Sequence, residues 1–245
     1  MTFWISKSSY QLYKECPGRW KRIYIDKIQE PATYPMIRGR QIHKKIEDFY
    51  KHVTFDNVTG TTIPNINSNI EIPSELSSFI NFQKERIIEC MKDGAFNTQL
   101  FLPVFTEKWI DVPELKIRGI VDAVFINPAD NEYIVIDWKS GKPREAELTE
   151  KRKELAFYKY LIDESKILDK PIKYWGEYFV DHDKLFFEEA KQSTVDKIKK
   201  EVKDIQEEID NTIASKKDFP YKTSFMCNWC GLKDTCPAYL SGGSC

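Results

Sequence analysis

Three side chains in two strand-like segments have the chemistry of a metal-dependent hydrolytic site. Asp137 and Lys139 end the apolar segment 133–139, and Asp122 lies in the preceding apolar segment 117–125. Side chains two residues apart on a strand share a face, so Asp137 and Lys139 should project together. Turn-forming residues between the segments predict a hairpin that places the two aspartates side by side. Such a group could hold a divalent cation and orient a water for phosphodiester hydrolysis.

Each of the three residues also has a simpler interpretation. Asp137 could cap its strand, Asp122 could belong to a turn, and Lys139 could pair with either carboxylate. The combination favours the metal site, because ionised groups beside apolar strands cost several kcal/mol to desolvate unless they coordinate or pair.

The spacing of these residues resembles that of the PD-(D/E)xK nuclease superfamily. Asp122 matches its first acidic residue, and Asp137-Trp138-Lys139 matches its acid-x-lysine element. Segment 39–47 is similar to the Gly-x-x-x-His-x-x-x-Glu helix of the RecB-like branch of that superfamily. The resemblance implies that His43 completes the metal site, and we expect the backbone carbonyl of Trp138 to add a ligand.

Segment 154–158 stands where that branch has Gln-x-x-x-Tyr after the lysine. Tyr158 matches the pattern, and the resemblance implies a catalytic role for it. Glu154 replaces the glutamine and adds a negative charge, so its role stays open. The same stretch also fits an amphipathic helix with Leu155, Tyr158 and Leu161 on one face, and both interpretations can hold.

Four of the six cysteines form a second constellation. Cys227, Cys230 and Cys236 are clustered, while Cys16 lies near the other end of the chain. Four thiolates suit an iron–sulfur cluster or zinc. The arrangement resembles the iron–sulfur variant of RecB-like nucleases, including the CRISPR-associated RecB-like nuclease and the AddB nuclease domain, which implies a 4Fe-4S cluster. Zinc is the alternative, and either group would act as a structural clasp.

The other two cysteines have no predicted ligand role. Cys90 falls on the apolar face of a predicted helix and should be packed, and no role is assigned to Cys245. The first seven residues lack the pattern of a secretory signal. We therefore expect reduced thiols and a cytoplasmic location.

Composition sets limits on the partners. The 245 residues are 41% hydrophobic, enough for one substantial core, and no apolar run is long enough to cross a bilayer. With 37 basic against 38 acidic residues, nucleic-acid binding would need a local surface. Basic segments 19–22, 142–144 and 151–153 are candidates, although such runs are usually solvated faces. N-terminal aromatic residues could stack on bases or fill the core; they are Trp4, Tyr10, Tyr13 and Trp20.

The element order is typical of an α+β protein. We expect a central mixed β-sheet flanked by helices, with a restriction-endonuclease-like core and with N- and C-terminal segments clasped by the four cysteines. Predicted helices cover 8–16, 36–51, a segment opening at Ser74, 144–162 and 195–213; predicted strands cover 101–112, 115–126, 132–139, 172–180 and 184–188. The Asn- and Thr-rich loop 54–69 is either disordered or covers a binding surface. Residues 1–245 should form a single nuclease domain, with a helical part about 1–95, a core about 100–190 and a C-terminal helix and cysteine cluster about 191–245.

Together these features predict a metal-dependent deoxyribonuclease that uses Mg²⁺ or Mn²⁺. Lys139 would position the attacking water or help to deprotonate it. The resemblance implies single-stranded DNA as substrate and exonuclease action. The alternative is a non-catalytic DNA-binding or scaffold module stabilised by iron–sulfur or zinc, which the departure at Glu154 favours. No Gly-x-x-x-x-Gly-Lys-Ser/Thr loop occurs, so we expect a stand-alone nuclease or the partner of a helicase rather than a helicase. An integrase or a recombination protein is another candidate partner, and cleavage polarity, pathway and oligomeric state stay open.

Overall fold

The computed structural model describes residues 3–56, 65–68, 74–92, 94–144, 146 and 148–241. The helices are α1 Lys7–Glu15, α2 Pro17–Tyr24, α3 Tyr34–His52, α4 Ser77–Glu89, α5 Thr98–Phe101, α6 Leu148–Ser165, α7 Gln192–Ala214 and α8 Pro237–Leu240. The strands are β1 Val53–Asp56, β2 Asn65–Ser68, β3 Met91–Lys92, β4 Ala95–Phe96, β5 Phe105–Val112, β6 Ile117–Ile126, β7 Tyr133–Lys139, β8 Ile172–Phe179 and β9 Lys184–Glu189.

Strands β5 to β9 form the central sheet in chain order. All neighbouring pairs are antiparallel except β7 and β8, which run parallel. A parallel pair needs a long crossover connection, and α6 provides it. The mixed sheet confirms the predicted α+β class.

Helices cover both faces of the sheet. On one face α6 and α7 bury side chains such as Leu161 and Ile198 against Val135 and Trp175. On the other face α3 and α4 pack on a second apolar cluster that includes Trp138. Because side chains alternate along β7, Trp138 faces α3 and α4 while Asp137 faces the side of α6.

Several predicted boundaries differ from the structure. The strand expected from residue 101 begins at Phe105, because the Asn97 side chain caps the short helix α5. The helix expected from residue 144 begins at Leu148, and a short 3₁₀ turn at Ser74 precedes α4. The cap at Asn97 and the turn at Ser74 are local features that apolar spacing does not encode.

The predicted loop 54–69 is wrong in part, because it contains strand β2 and most of β1. These two strands pair antiparallel, with Val53 opposite Ser68, so the part predicted as helical also holds short strands. Residues 57–64 lie outside the described residues, as does Cys245. Cys90 is fully buried, as predicted.

No helix in the described ranges is both long enough and apolar enough to span a membrane.

Candidate metal centre and cysteine site

The β6–β7 hairpin brings the two predicted aspartates together. Ala123 pairs with Ile136, so Asp122 and Asp137 take the next position on each strand. The backbone N–H of Trp138 donates a hydrogen bond of 2.9 Å to Oδ2 of Asp122. Both carboxylates are buried. The predicted hairpin and the juxtaposition of the acids are therefore present.

His43 reaches the same place from helix α3. Ile42 and Ile46, on its buried face, anchor the helix on the sheet. Nε2 of His43 lies 2.9 Å from the carbonyl oxygen of Trp138, and Nδ1 lies 3.6 Å from Oδ2 of Asp122. The structure thus brings together His43, the ligand that the resemblance implied, and the Trp138 carbonyl, the further ligand that we expected.

Glu107 belongs to this group and was missed by the sequence analysis. It lies on β5 opposite Asp122, and its Oε1 is 3.1 Å from Nδ1 of His43. Its backbone is left-handed, with φ of 44°, where a non-glycine residue is uncommon. The only signal in the sequence was an acidic residue in the neighbouring predicted strand. Which residue it faces across the sheet depends on the register of the two strands, and register cannot be read from one strand alone.

These contacts shift the pKa values of Asp122, Asp137 and His43 in different directions. Burial and the charge of Asp137 raise the pKa of Asp122 to about 7. Burial opposes ionisation of Asp137 too, but Lys139 and Lys7 outweigh it and hold its pKa well below the usual range. Burial disfavours charged His43, yet its bond to Glu107 and the charges of the two aspartates raise its pKa to about 9. Of the two aspartates, Asp137 is therefore the one that is firmly ionised at neutral pH.

Lys139 shares a second acidic group on the side of α6. Its Nζ lies 2.5 Å from Oδ2 of Asp137, 2.8 Å from Oε2 of Glu154 and 3.7 Å from Oε1 of Glu177. Asp137 and Lys139 do project to one face, as strand alternation predicted. Despite its burial, Lys139 has a pKa raised above its ordinary value by the charge of Asp137.

Glu177 is the second residue that the sequence analysis missed. It lies opposite Asp137 on β8 and is fully buried, and burial raises the pKa of its carboxyl to about 7. Its nearest described cations are Lys139 and Lys151, at 3.7 and 3.8 Å. A lone glutamate among apolar residues of a strand was a visible signal, because such a residue is rarely buried without partners.

Lys7, the third missed residue, enters the site from the first turn of α1. Its Nζ lies 3.3 Å from Oδ1 of Asp137, 3.6 Å from Oε2 of Glu154 and 4.6 Å from the ring centre of Tyr158. The segment before the helix is fixed by Ile5, whose N–H donates to the carbonyl oxygen of Lys116 at 2.8 Å and whose carbonyl oxygen accepts from the N–H of Arg118 at 2.9 Å, at the start of β6. Sequence patterns gave no signal for Lys7, since it lies 130 residues from its partner Asp137.

Glu154 and Tyr158 both lie at the site. The Glu154 carboxylate accepts from Gln11 at 2.7 Å and from Lys139 at 2.8 Å, and Lys139 and Lys7 lower its pKa. A charged carboxylate in place of glutamine is thus balanced by two ammonium groups. Tyr158 is nearly buried, and its ring contacts Lys7; its catalytic role stays a prediction.

Two groups among the described residues could hold a metal ion. His43, Glu107 and Asp122 offer ligand atoms within 4.8 Å of one another, and so do Asp137, Glu154 and Glu177. Lys139 contacts all three members of the second group, so its ammonium already provides their counter-charge. Nδ1 of His43 faces Glu107 and Asp122, while its Nε2 lies at hydrogen-bond distance, 2.9 Å, from the Trp138 carbonyl oxygen. The first group, with Asp137 beside it, therefore fits a divalent cation.

The four predicted cysteines line one cavity of about 50 Å³ where residues of α1 and α2 meet the C-terminal segment. The N–H of Lys222 donates to Sγ of Cys16 at 3.5 Å, and the N–H of Ser224 donates to Sγ of Cys227 at 3.4 Å. No three of the four sulfur atoms lie within 4.8 Å of one another among the described residues. A zinc tetrahedron with bonds of about 2.3 Å would place its sulfurs about 3.8 Å apart. As placed in this structure, the four sulfur atoms therefore do not form a closed tetrahedron.

Contacts around this cavity fasten the two ends of the described chain together. The Gly18 N–H donates to the carbonyl oxygen of Pro220, and a Cβ on Gly18 would lie only 2.6 Å from the Tyr221 ring. Arg22 donates to Thr235 Oγ1 at 2.6 Å. The predicted approach of the terminal segments is present.

The predicted basic and aromatic surfaces are mostly occupied by internal contacts. Lys151 is buried, and Arg152 forms a bidentate pair with Glu188 at 2.7 and 2.8 Å. Arg19 pairs with Glu30. Tyr10, Tyr13 and Trp20 fill the core, which leaves Trp4 partly exposed. Segments 19–22 and 151–153 are therefore not free basic faces.

The family model of the PD-(D/E)XK nuclease superfamily matches residues 5–237 of the chain. No curated protein matches the chain. The matched range includes both metal-binding groups, Lys7 and all four clustered cysteines.

Proposed function

Because the chain belongs to the PD-(D/E)XK nuclease superfamily, we propose that it is a metal-dependent deoxyribonuclease acting as an exonuclease on single-stranded DNA. One observation carries the proposal: His43, Glu107 and Asp122 converge beside Asp137, whose other side is held by lysines. Cation ligands and ammonium groups thus face each other across one carboxylate, which suits a doubly charged cation together with an anionic substrate.

His43, Glu107, Asp122, Asp137 and the Trp138 carbonyl would hold Mg²⁺ or Mn²⁺. When bound, such a cation supplies positive charge that polarises the phosphodiester. Binding requires neutral His43, so the proton that this residue holds below about pH 9 has to leave. The site therefore combines cation binding with loss of a proton.

Lys139 would orient the attacking water and offset charge on the phosphate. Its pKa is raised well above its ordinary value, so the ammonium form dominates at neutral pH. This form donates hydrogen bonds and accepts no proton, which favours the positioning role over deprotonation of the water. Lys7 is one-fifth exposed, faces the same carboxylate and would contact the phosphate from the solvent side.

For the cysteine site we propose a 4Fe-4S cluster, with zinc as the alternative. Support comes from the four cysteines that line one cavity and from the backbone N–H groups that donate to Cys16 and Cys227. Hydrogen bonds to cluster sulfurs are a recurring feature of iron–sulfur sites. The cluster would act as a structural clasp, and the resemblance to CRISPR-associated and AddB-type nucleases rests on this site.

The test is cleavage of end-labelled single-stranded DNA with Mg²⁺ or Mn²⁺, against a chelator. We expect cleavage by the wild type, none with chelator and none by Asp137→Asn, which keeps the shape of the side chain but loses its charge. Asp196→Asn removes an exposed carboxylate of α7 and should cleave normally. A circular single strand should resist if the enzyme needs an end.

Binding of DNA without cleavage under all these conditions would support the non-catalytic module instead. Cleavage by Asp137→Asn at the wild-type rate would refute the proposed site. Cutting of the circular strand would refute the exonuclease mode alone.

A further inference from the structure

An exposed aromatic surface adjoins the candidate metal centre on the outer strands of the sheet. It consists of Trp4, Trp109, Lys116, Arg118 and Ile120, which we call the tryptophan platform. Trp109 and Ile120 pair across β5 and β6 and are 52% and 45% exposed, high values for large apolar side chains on a sheet. Helices α3 and α4 cover this face of the sheet elsewhere, but at Trp109 and Ile120 the face is exposed to solvent.

The platform is held in a fixed arrangement. The Arg118 guanidinium lies 5.4 Å from the ring centre of Trp4 and 5.8 Å from that of Trp109, so it sits between the two indoles. Lys116 Nζ lies 5.2 Å from the Trp4 ring. The indole N–H of Trp109 donates to Asp111 at 2.8 Å, which fixes the ring. Rigid exposed rings with cations against them can bind a planar ligand without first being ordered.

The platform lies next to the proposed cation ligands along strands β5 and β6. Trp109 follows Glu107 by two residues on β5, and Ile120 precedes Asp122 by two residues on β6. Two residues of a strand span about 7 Å. A chain that lies along these strands would therefore pass directly from the platform to the cation ligands.

We propose that the tryptophan platform binds single-stranded nucleic acid by stacking its bases on Trp109 and Trp4, with Lys116 near the phosphates. This inference rests on the proposed nuclease function, because it assigns the substrate strand leading to that site. Stacking requires unpaired bases, since paired bases within a duplex present only their edges. Lys116 and Arg118 outweigh the Asp111 carboxylate that holds Trp109, so the platform keeps the positive charge that a polyanion needs, whereas the net charge of the chain is only −1.

The test measures binding separately from cleavage. With chelator present, fluorescence anisotropy reports the affinity for an oligothymidylate and for an abasic phosphodiester strand of equal length. We expect Trp109→Ala to weaken oligothymidylate binding by between about fivefold and 100-fold, the range for loss of one stacked base, and to leave abasic binding within about twofold. Phe187→Ala is the matched control, an exposed aromatic residue on the opposite edge strand β9.

A second variant examines the phosphate contact. Lys116→Gln should lower the slope of log affinity against log salt concentration by about 0.7, the contribution of one phosphate on a single strand. Thermal melting of each variant shows whether the fold is retained, and loss of an exposed ring should leave the midpoint almost unchanged.

Several results would overturn the proposal. They are absence of oligothymidylate binding by the wild type, unchanged binding by Trp109→Ala, and equal weakening on both strands. A concentration-dependent dimer that Trp109→Ala abolishes would instead identify the platform as an interface between copies. Hydrolysis of a chromogenic phosphodiester without bases by the wild type separates the two proposals: its absence would count against the nuclease and leave the binding result intact.

Discussion

Lys7 and Lys139 contact opposite oxygens of one carboxylate, at 3.3 and 2.5 Å from Asp137. This arrangement explains why Asp137 remains ionised although it is buried, whereas Asp122, which lies farther from both lysines, has its pKa raised to about 7. It also explains Glu154, whose carboxylate balances the second lysine. Within the proposed nuclease, the positive charge of Lys7 should therefore weaken binding of the cation and strengthen binding of the anionic substrate.

Lys7→Gln tests both effects, on cation binding and on the substrate. Loss of a charge-assisted phosphate contact of about 1.5–3 kcal/mol should reduce kcat/KM by about 10- to 100-fold. Loss of the positive charge should at the same time strengthen Mn²⁺ binding, measured by titration calorimetry. Lys14→Gln is the control, because Lys14 lies on the same helix but pairs with Glu201 away from the site. Weaker cation binding by Lys7→Gln would show that Lys7 supports the ligands instead.

At the scale of elements, α1 and the residue before its cap place Lys7. Ile5 is fully buried and bridges to Ile117, Ser6 caps the helix, and Tyr10 and Tyr13 bury its inner face. The position of Lys7 thus depends on apolar burial of the segment that carries it.

Ile5→Ala should lower the free energy of unfolding by about 2–5 kcal/mol, as expected for a large buried aliphatic side chain. Urea denaturation measures this loss. DNA cleavage should fall as well in conditions where the variant is fully folded, because Lys7 loses its anchor. Ile213→Ala, at an exposed position of α7, should change stability by no more than about 0.5 kcal/mol. Equal stability of both variants would contradict the anchoring role.

The contact between α6 and β9 predicts a pH dependence. Arg152 binds both oxygens of Glu188 and, ahead of the opposing effect of burial, lowers the pKa of that carboxyl below 4.5. A depressed pKa contributes stability that is present above about pH 4.5 and lost as the pH falls through the folded-state value. Stability of Glu188→Gln should therefore fall less steeply than that of the wild type below pH 4.5, in urea denaturation at stepped pH. Glu189→Gln, exposed next to it, should follow the wild-type curve.

At the scale of the whole molecule, the cysteine site and the metal centre lie at opposite ends of α1. Lys7 begins the helix and Cys16 caps its end. A group bound by four cysteines would close a loop of more than 100 residues, which in the chain-entropy model stabilises a protein by about 4–5 kcal/mol. The clasp should therefore stabilise the fold and hold α1 in place.

Cys236→Ser tests this connection. We expect loss of bound iron, a lower thermal midpoint and slower DNA cleavage, although none of the proposed cation ligands lines the cavity that Cys236 lines. Cys245→Ser is the control, since it leaves all four clustered cysteines intact. Stoichiometric zinc in a colourless wild-type protein would replace the iron–sulfur assignment by the alternative. An unchanged melting midpoint for Cys236→Ser would contradict the clasp.

The sequence alone determined the features that depend on local periodicity. The alternation of side chains placed Asp137 and Lys139 on one face, turn residues predicted the hairpin to Asp122, and apolar spacing predicted α7. Helix and strand periods are properties of neighbouring residues, so one sequence is enough to show them. The role of His43 came from the resemblance, and the four cysteines were grouped by their spacing; the structure places His43 beside Asp122 and the four cysteines around one cavity, while their roles stay predictions.

Only the tertiary structure decided which distant residues join these groups. Glu107, Glu177 and Lys7 reach the site through strand register, a parallel crossover and a docked N-terminal segment. The same packing paired the basic segment 151–153 internally and exposed Trp109 beside the metal centre. Contacts between residues far apart in the chain depend on which faces of the helices and of the sheet pack against each other. The local pattern of one sequence does not specify that packing.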